Sequence, residues 1–190
     1  PDRTGLSIKL DAFTYTDKKG ALQYIVPHDL WAHVLLENKK FKSISDKVLP
    51  VNPFRPVGEK PTQNLDYIGK YKVCISKVSA DTGYINDGTY KVLYDPFIMK
   101  PGDFGGIEYL VVSCFDSYVE AMNFKNYLTN KVIRYLIWIT VSGMNLTFRN
   151  FMFVPDLDMK RSWTDLDMKE YFKMSDNMYN YITGVIKWET

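Results

Sequence analysis

Tyr109-Leu-Val-Val-Ser-Cys-Phe115, followed after Asp116 by Ser117-Tyr-Val-Glu-Ala121 and a largely apolar run to Ile139, decides how the rest of the chain is read. The first seven residues form the short, nearly continuous apolar run of a buried strand. Ser117-x-x-Glu120 then has the spacing of a capping box, in which a hydroxyl and a carboxylate satisfy free amide N–H groups at a helix start. At about 100° per residue, Ala121, Phe124, Leu128, Val132, Tyr135, Leu136 and Ile139 fall on one side of that helix. Asn123, Tyr127, Asn130 and Arg134 fall on the other. The first side is expected to pack and the second to be open to a partner. A single helix from Ser117 to Ile139 would be on the order of 33 Å long, enough to brace a domain.

Working outward, Tyr71 to Ser79 alternates as a half-buried strand, with Tyr71, Val73, Ile75 and Lys77 on one side and Lys72, Cys74, Ser76 and Val78 on the other. Turn residues at Asp81-Thr-Gly83 and Asn86-Asp-Gly88 lead to an expected strand from Thr89 to Tyr94. The glycine-containing loop Pro101 to Gly106 fits no phosphate-cradling spacing and is read as a turn before Tyr109. Beyond Ser142-Gly143, Thr147 to Val154 is expected as a strand ended by Pro155. Thr164 and Ser175 are placed to cap two short helices, the first with Asp165 and Asp167 in its opening turn. Trp163, Tyr171 and Phe172 read as packing residues.

At the amino end, Leu6 to Tyr15 and Ala21 to Val26 suggest a hairpin around Asp17-Lys-Lys-Gly20, ended by Pro27. Asp29 would cap a helix running to about Lys40. His28 and His33 lie on different faces of it, and no cysteine or acidic cluster completes a metal site. Residues 49–64 hold Pro50, Pro53, Pro56 and Pro61 with Gly58, a composition that resists helix and sheet and reads as a Pro-rich loop. Together these elements predict one α+β domain over residues 1–190. It would have a twisted, mainly antiparallel sheet, one long supporting helix and two short C-terminal helices.

The chain has 190 residues, 46% of them hydrophobic, enough for one domain to bury most of its surface. Its net charge is only +2, so any nucleic-acid surface must be a local patch. Cys74 and Cys114 lie in apolar strand-like runs and read as buried thiols, consistent with a reducing cytoplasm. No apolar run approaches the roughly 20 residues that span a bilayer, so no membrane is expected as a partner.

The ordered series Lys72-Val-Cys-Ile-Ser-Lys-Val-Ser-Ala80, Tyr109 to Asp116, Glu120-Ala121, Asn130-Lys-Val-Ile-Arg134, Phe153-Val-Pro-Asp-Leu-Asp158, Trp163-Thr-Asp165 and Tyr171-Phe172 resembles one family. It is similar to the C-terminal region of bacterial restriction-modification adenine-specific DNA methyltransferases, often fused to a nuclease in one polypeptide. Pro53-Phe54-Arg55 resembles a shorter upstream element. The match covers roughly residues 50–187; Asp81 to Asp103 and the first fifty residues follow no pattern of it. Asn52-Pro53-Phe54 imitates the Asn-Pro-Pro-aromatic set that holds a target adenine, but the second proline is missing and no Gly-rich cofactor loop precedes it. The absence of a methionine before Pro1 agrees with a module of a larger enzyme.

What the resemblance implies is a sequence-specific recognition module for double-stranded DNA without a reaction or metal of its own. S-adenosylmethionine would belong to the methyltransferase domain of the same polypeptide, beside a nuclease domain in the fused class. Residues suited to DNA contact are Lys70, Lys72 and Lys77 around the first matching strand, Lys125, Tyr127, Asn130, Lys131 and Arg134 on the helix, and Arg149 after it. Arg134 stands out, because arginine beside asparagine can hydrogen-bond base edges bidentately. Loops Arg55 to Asn64 and Thr82 to Gly88 are further places for base readers. Two alternatives stand beside this reading. Asp156, Asp167 and Lys169 imitate the paired carboxylates and lysine of a metal-dependent nuclease. A subunit-docking domain would instead expose a large apolar patch.

Overall fold

The computed structural model describes residues 12–16, 23–27, 42–49, 65–81, 88–103 and 108–187, the first two segments as backbone. The expected helix from Asp29, both histidines, the turn Asp17 to Gly20, the proline-rich residues 50–64 and most of the loop Thr82 to Gly88 lie outside them. Strands β1 (Ala12–Thr16) and β2 (Gln23–Pro27) pair antiparallel, with Pro27 opposite Ala12 as the last paired residue.

The fold is α+β. Strand β3 (Tyr71–Ser76) lies between β4 (Phe97–Met99) and β5 (Tyr109–Phe115), antiparallel to both. Ser113 faces Val73 while Val111 faces Cys74, so Val112 is an extra residue in the ladder and β5 bulges there. Val73, Ile75, Leu110 and Val112 enter the main core, and Cys74 and Val111 form a smaller cluster with Tyr67 on the other side. Burial on both faces explains why β3 and β5 read as near-continuous apolar runs rather than clean alternations.

The single long helix is corrected to two. Helix α1 (Tyr118–Tyr127) begins where expected, with the Ser117 hydroxyl accepting from Val119 N–H at 3.2 Å. It ends in a tight turn: Thr129 N–H and hydroxyl both donate to Asn126 O, at 3.0 and 2.6 Å, and Asn130 N–H donates to Tyr127 O at 3.2 Å. Such local bonds from threonine and asparagine compete with the helical ladder. Asn130 leaves helical geometry at ψ 134°, and α2 (Lys131–Trp138) starts after it. The carboxylate that accepts Val132 N–H, at 3.1 Å, comes from Asp165, thirty-three residues on. Every residue of α2 from Val132 to Trp138 is buried, as expected of a helix covered all round.

Two expected strands are also corrected. Between Thr89 and Tyr94 there is one bridge, Tyr90 to Ile186, and then a turn centred on Val92. Between Thr147 and Val154 the chain forms a 3-10 turn, Phe148–Phe151. There the Asn150 side chain accepts Thr147 N–H at 2.7 Å and donates to Thr140 O at 2.9 Å, a local arrangement that apolar content alone does not reveal. The two C-terminal helices form as expected, α3 (Asp165–Tyr171) capped by Thr164 and α4 (Asp176–Val185) by Ser175. Phe172 is buried, and Trp163 and Tyr171 pack against the core.

Candidate nucleic-acid interface

Four of the nine residues suited to DNA contact are buried, which corrects their assignment to an open face. Tyr127 is fully buried and its hydroxyl donates to Pro155 O at 2.9 Å. Asn130 spends its amide on Trp163 O, also at 2.9 Å. Arg134 reaches through the core to Lys91 O and Leu93 O, at 2.5 and 2.8 Å. Burial pushes its guanidinium down to about 9, against the opposing pull of Asp95 and Asp81, and leaves it cationic at neutral pH. Lys72 is buried with its ammonium directed at the carbonyls of Tyr67, Ile68, Lys70 and Lys100, at 2.8 to 3.4 Å. For the helical three, the segments around Lys91 and Pro155 to Trp163 cover the side expected to be open, and for Arg134 the break after α1 also changes the angular phase.

The other five lie at the surface or partly so. Lys70 is 3.5 Å from Asp116, Lys131 donates to Thr183 O at 3.0 Å, and Lys125 is half-buried. The segments that carry Lys77 and Arg149 are joined by a backbone bridge between Val78 and Asn145. Leu146 N–H donates to Lys77 O at 2.7 Å and Ser79 N–H to Met144 O at 2.9 Å. The 3-10 turn then starts at Phe148, and the Arg149 guanidinium lies 5.8 Å from the centroid of the Phe148 ring. Val78, Met144 and Phe148 are exposed on the two bridged segments. Cations interleaved with exposed apolar and aromatic side chains suit both phosphate contact and packing against sugar or base. Sequence reasoning missed Met144 and Phe148; the available signal was an aromatic residue directly before Arg149, but the bridge to Val78 is a tertiary fact.

The nuclease set is engaged elsewhere. Asp156 pairs with Lys47 at 2.6 Å and Lys169 with Asp176. Asp167 closes the capping box of α3, accepting the Thr164 hydroxyl and N–H, and meets Arg161 at 3.0 Å. Those hydrogen bonds, the Thr164 hydroxyl first, hold its carboxyl down at about 2. Asp167 and Lys169 lie on a helix, where residues two apart diverge. Among the described residues no group of three or more His, Cys, Asp and Glu could hold a metal ion.

A cavity of about 430 Å³ opens on the second face of the sheet, lined by Asp46, Lys47, Leu49, Asp66, Tyr67, Lys70, Ser113 and Cys114. Burial pushes the Cys114 thiol up to about 11 and Cys74 to about 12, so neither is an activated nucleophile. Among the described residues no helix is long and apolar enough to cross a membrane. The chain matches no protein-family model, no curated protein and no solved structure.

Proposed function

We propose that this chain is a sequence-specific DNA recognition module of a restriction-modification adenine methyltransferase or fused restriction enzyme. Its substrate is double-stranded DNA, and it chooses the site at which the other domains of its polypeptide act. S-adenosylmethionine belongs to the methyltransferase domain. The ordered resemblance over residues 50–187 suggests this reading, and one structural observation supports it: the Val78–Asn145 bridge joins the segment that carries Lys77 to the segment that carries the exposed Met144, Phe148 and Arg149. With a net charge of +2, attraction to DNA has to come from such a local grouping.

The test is fluorescence anisotropy of the whole chain with a labelled 20-base-pair duplex across a range of salt. Each phosphate contact contributes about 0.9 to the slope of log affinity against log salt. The Lys77→Gln, Arg149→Gln double variant is therefore expected to lower the slope by about 2. Duplex binding that is absent, or that does not weaken with salt, would overturn the proposal.

A further inference from the structure

Val92 has φ +67°, and Leu93 N–H donates to Lys91 O at 2.8 Å. Together these describe a γ-turn of the positive-φ kind, a strained conformation, the more so for a β-branched residue. Its polar groups are held from several directions. The Asp81 carboxylate accepts Lys91 N–H and Val92 N–H at 2.7 and 2.6 Å. Ser79 Oγ and Ala80 N–H each donate to Val92 O at 3.1 Å. From helix α2, Arg134 Nη1 donates to both Lys91 O and Leu93 O. Val92 and Leu93 are themselves fully buried and fasten the turn to the core.

The clamp holds the backbone of Lys91, Val92 and Leu93, from which Tyr94 and Asp95 follow directly. Lys91 and Asp95 stand at the surface 3.2 Å apart, with Tyr94 half-exposed between them in sequence. Strain maintained by surrounding structure is a pointer to function. A lysine donor suits guanine O6 and N7, and a carboxylate acceptor suits the cytosine amino group, so the pair matches the major-groove edge of a G·C base pair.

We infer that the clamped turn is a base-reading element, Lys91 and Asp95 contacting a G·C pair, with Arg134 as the positioning residue that holds it. This rests on the DNA-recognition reading above and separates two tasks: Lys77 and Arg149 hold phosphates, while the turn discriminates sequence. Arg134 then takes part in recognition through the turn, without touching DNA.

The experiment is selection by the whole chain from a labelled duplex with a randomised 12-base-pair centre, followed by salt titration on the selected pool. In the Lys91→Gln, Asp95→Asn variant, both changes lying on the surface, at least one G·C position of the consensus is expected to flatten. Its selected-over-random affinity ratio should fall about tenfold, as expected for one mismatched pair. Arg134→Met is expected to flatten the same position while leaving the salt slope unchanged, which general destabilisation would not do. The Lys77→Gln, Arg149→Gln variant should do the reverse, lowering the slope and keeping the consensus. An unchanged consensus in the Lys91, Asp95 variant would overturn the inference alone, whatever becomes of Arg134→Met. A parent chain that selects no duplex would overturn the proposed function and this inference with it.

Discussion

Lys72 shows how a single side chain can be misread from its neighbours in sequence. Its alternation along β3 places it opposite Val73 and Ile75, where a surface lysine near DNA is a natural expectation. Instead it is buried, and its ammonium ties two turns together through Tyr67 O, Ile68 O, Lys70 O and Lys100 O. Three of those carbonyls have backbone partners as well: Lys70 N–H, Gly102 N–H and Asp103 N–H respectively serve Tyr67 O, Ile68 O and Lys100 O. Removing the ammonium in Lys72→Met would therefore deprive chiefly Lys70 O of its partner, and an unsatisfied buried carbonyl costs about 1–3 kcal/mol. We expect a loss of that size in urea denaturation at pH 7. Burial lowers the folded-state pKa of Lys72 beneath its ordinary 10.5, with Cys114, Cys74 and Asp103 opposing. Its contribution to stability is thus greatest above 10.5 and declines as pH falls through the folded value. The gap between parent and Lys72→Met should widen from pH 7 towards pH 10, and a gap that narrows would contradict this account. No pattern in the sequence says that four carbonyls converge on one point, and the same holds for Arg134 and the turn at Val92.

At the scale of elements the sequence was most legible where the signals are local. β5 is apolar through Leu110-Val-Val112, and Ser117, Thr164 and Ser175 each cap the helix that follows them. It was least legible where one element completes another. The spacing from Ser117 to Ile139 is compatible with one helix, and the break rests on Thr129 and Asn130 together with a cap supplied by Asp165 from the start of α3. That carboxylate serves two helices, standing in the first turn of its own while bonding the first turn of α2, where free N–H groups favour an acceptor. Losing such a cap costs about 1–2 kcal/mol, so Asp165→Ala should lower the urea midpoint accordingly. Asp165→Asn keeps an oxygen acceptor and should stay within about 0.5 kcal/mol of the parent, since asparagine caps as well as aspartate. The pH dependence supports this ordering. Burial raises the Asp165 pKa, with the N–H groups of Val132 and Lys131 and the Lys131 charge opposing. A raised folded value means that ionisation works against folding, the favourable contribution being complete below the unfolded pKa and lost as pH rises through the folded one. The neutral amide therefore gives up little at pH 7. Equal losses in Asp165→Ala and Asp165→Asn would show that the charge, rather than the acceptor, holds α2 in place.

For the molecule as a whole, the question is whether placement or total charge governs its attraction to DNA. The chain carries 24 basic and 22 acidic residues, and several of the basic ones are already committed: Lys47 to Asp156, Lys70 to Asp116, Lys169 to Asp176, Arg161 to Asp167. A surface so nearly neutral cannot steer a polyanion from a distance, because beyond about 8–10 Å at physiological salt its opposed charges are screened. Contact has to be made by cations standing together, and the bridge between Val78 and Asn145 joins the segment of Lys77 to the one that leads into the Arg149 turn. This gives a comparison in which net charge is held constant. Lys77→Glu with Arg149→Glu, and Lys100→Glu with Lys160→Glu, each shift the net charge from +2 to about −2 and alter exposed or partly exposed side chains. If placement governs, the first pair should abolish measurable duplex binding in about 100 mM salt, since two phosphate contacts become repulsions. The second pair should leave the affinity within about threefold of the parent, the residual effect of screened charges at a distance. Equal weakening by both pairs would make the attraction a property of total charge, and the surface around Phe148 and Met144 would then have no special claim to the DNA.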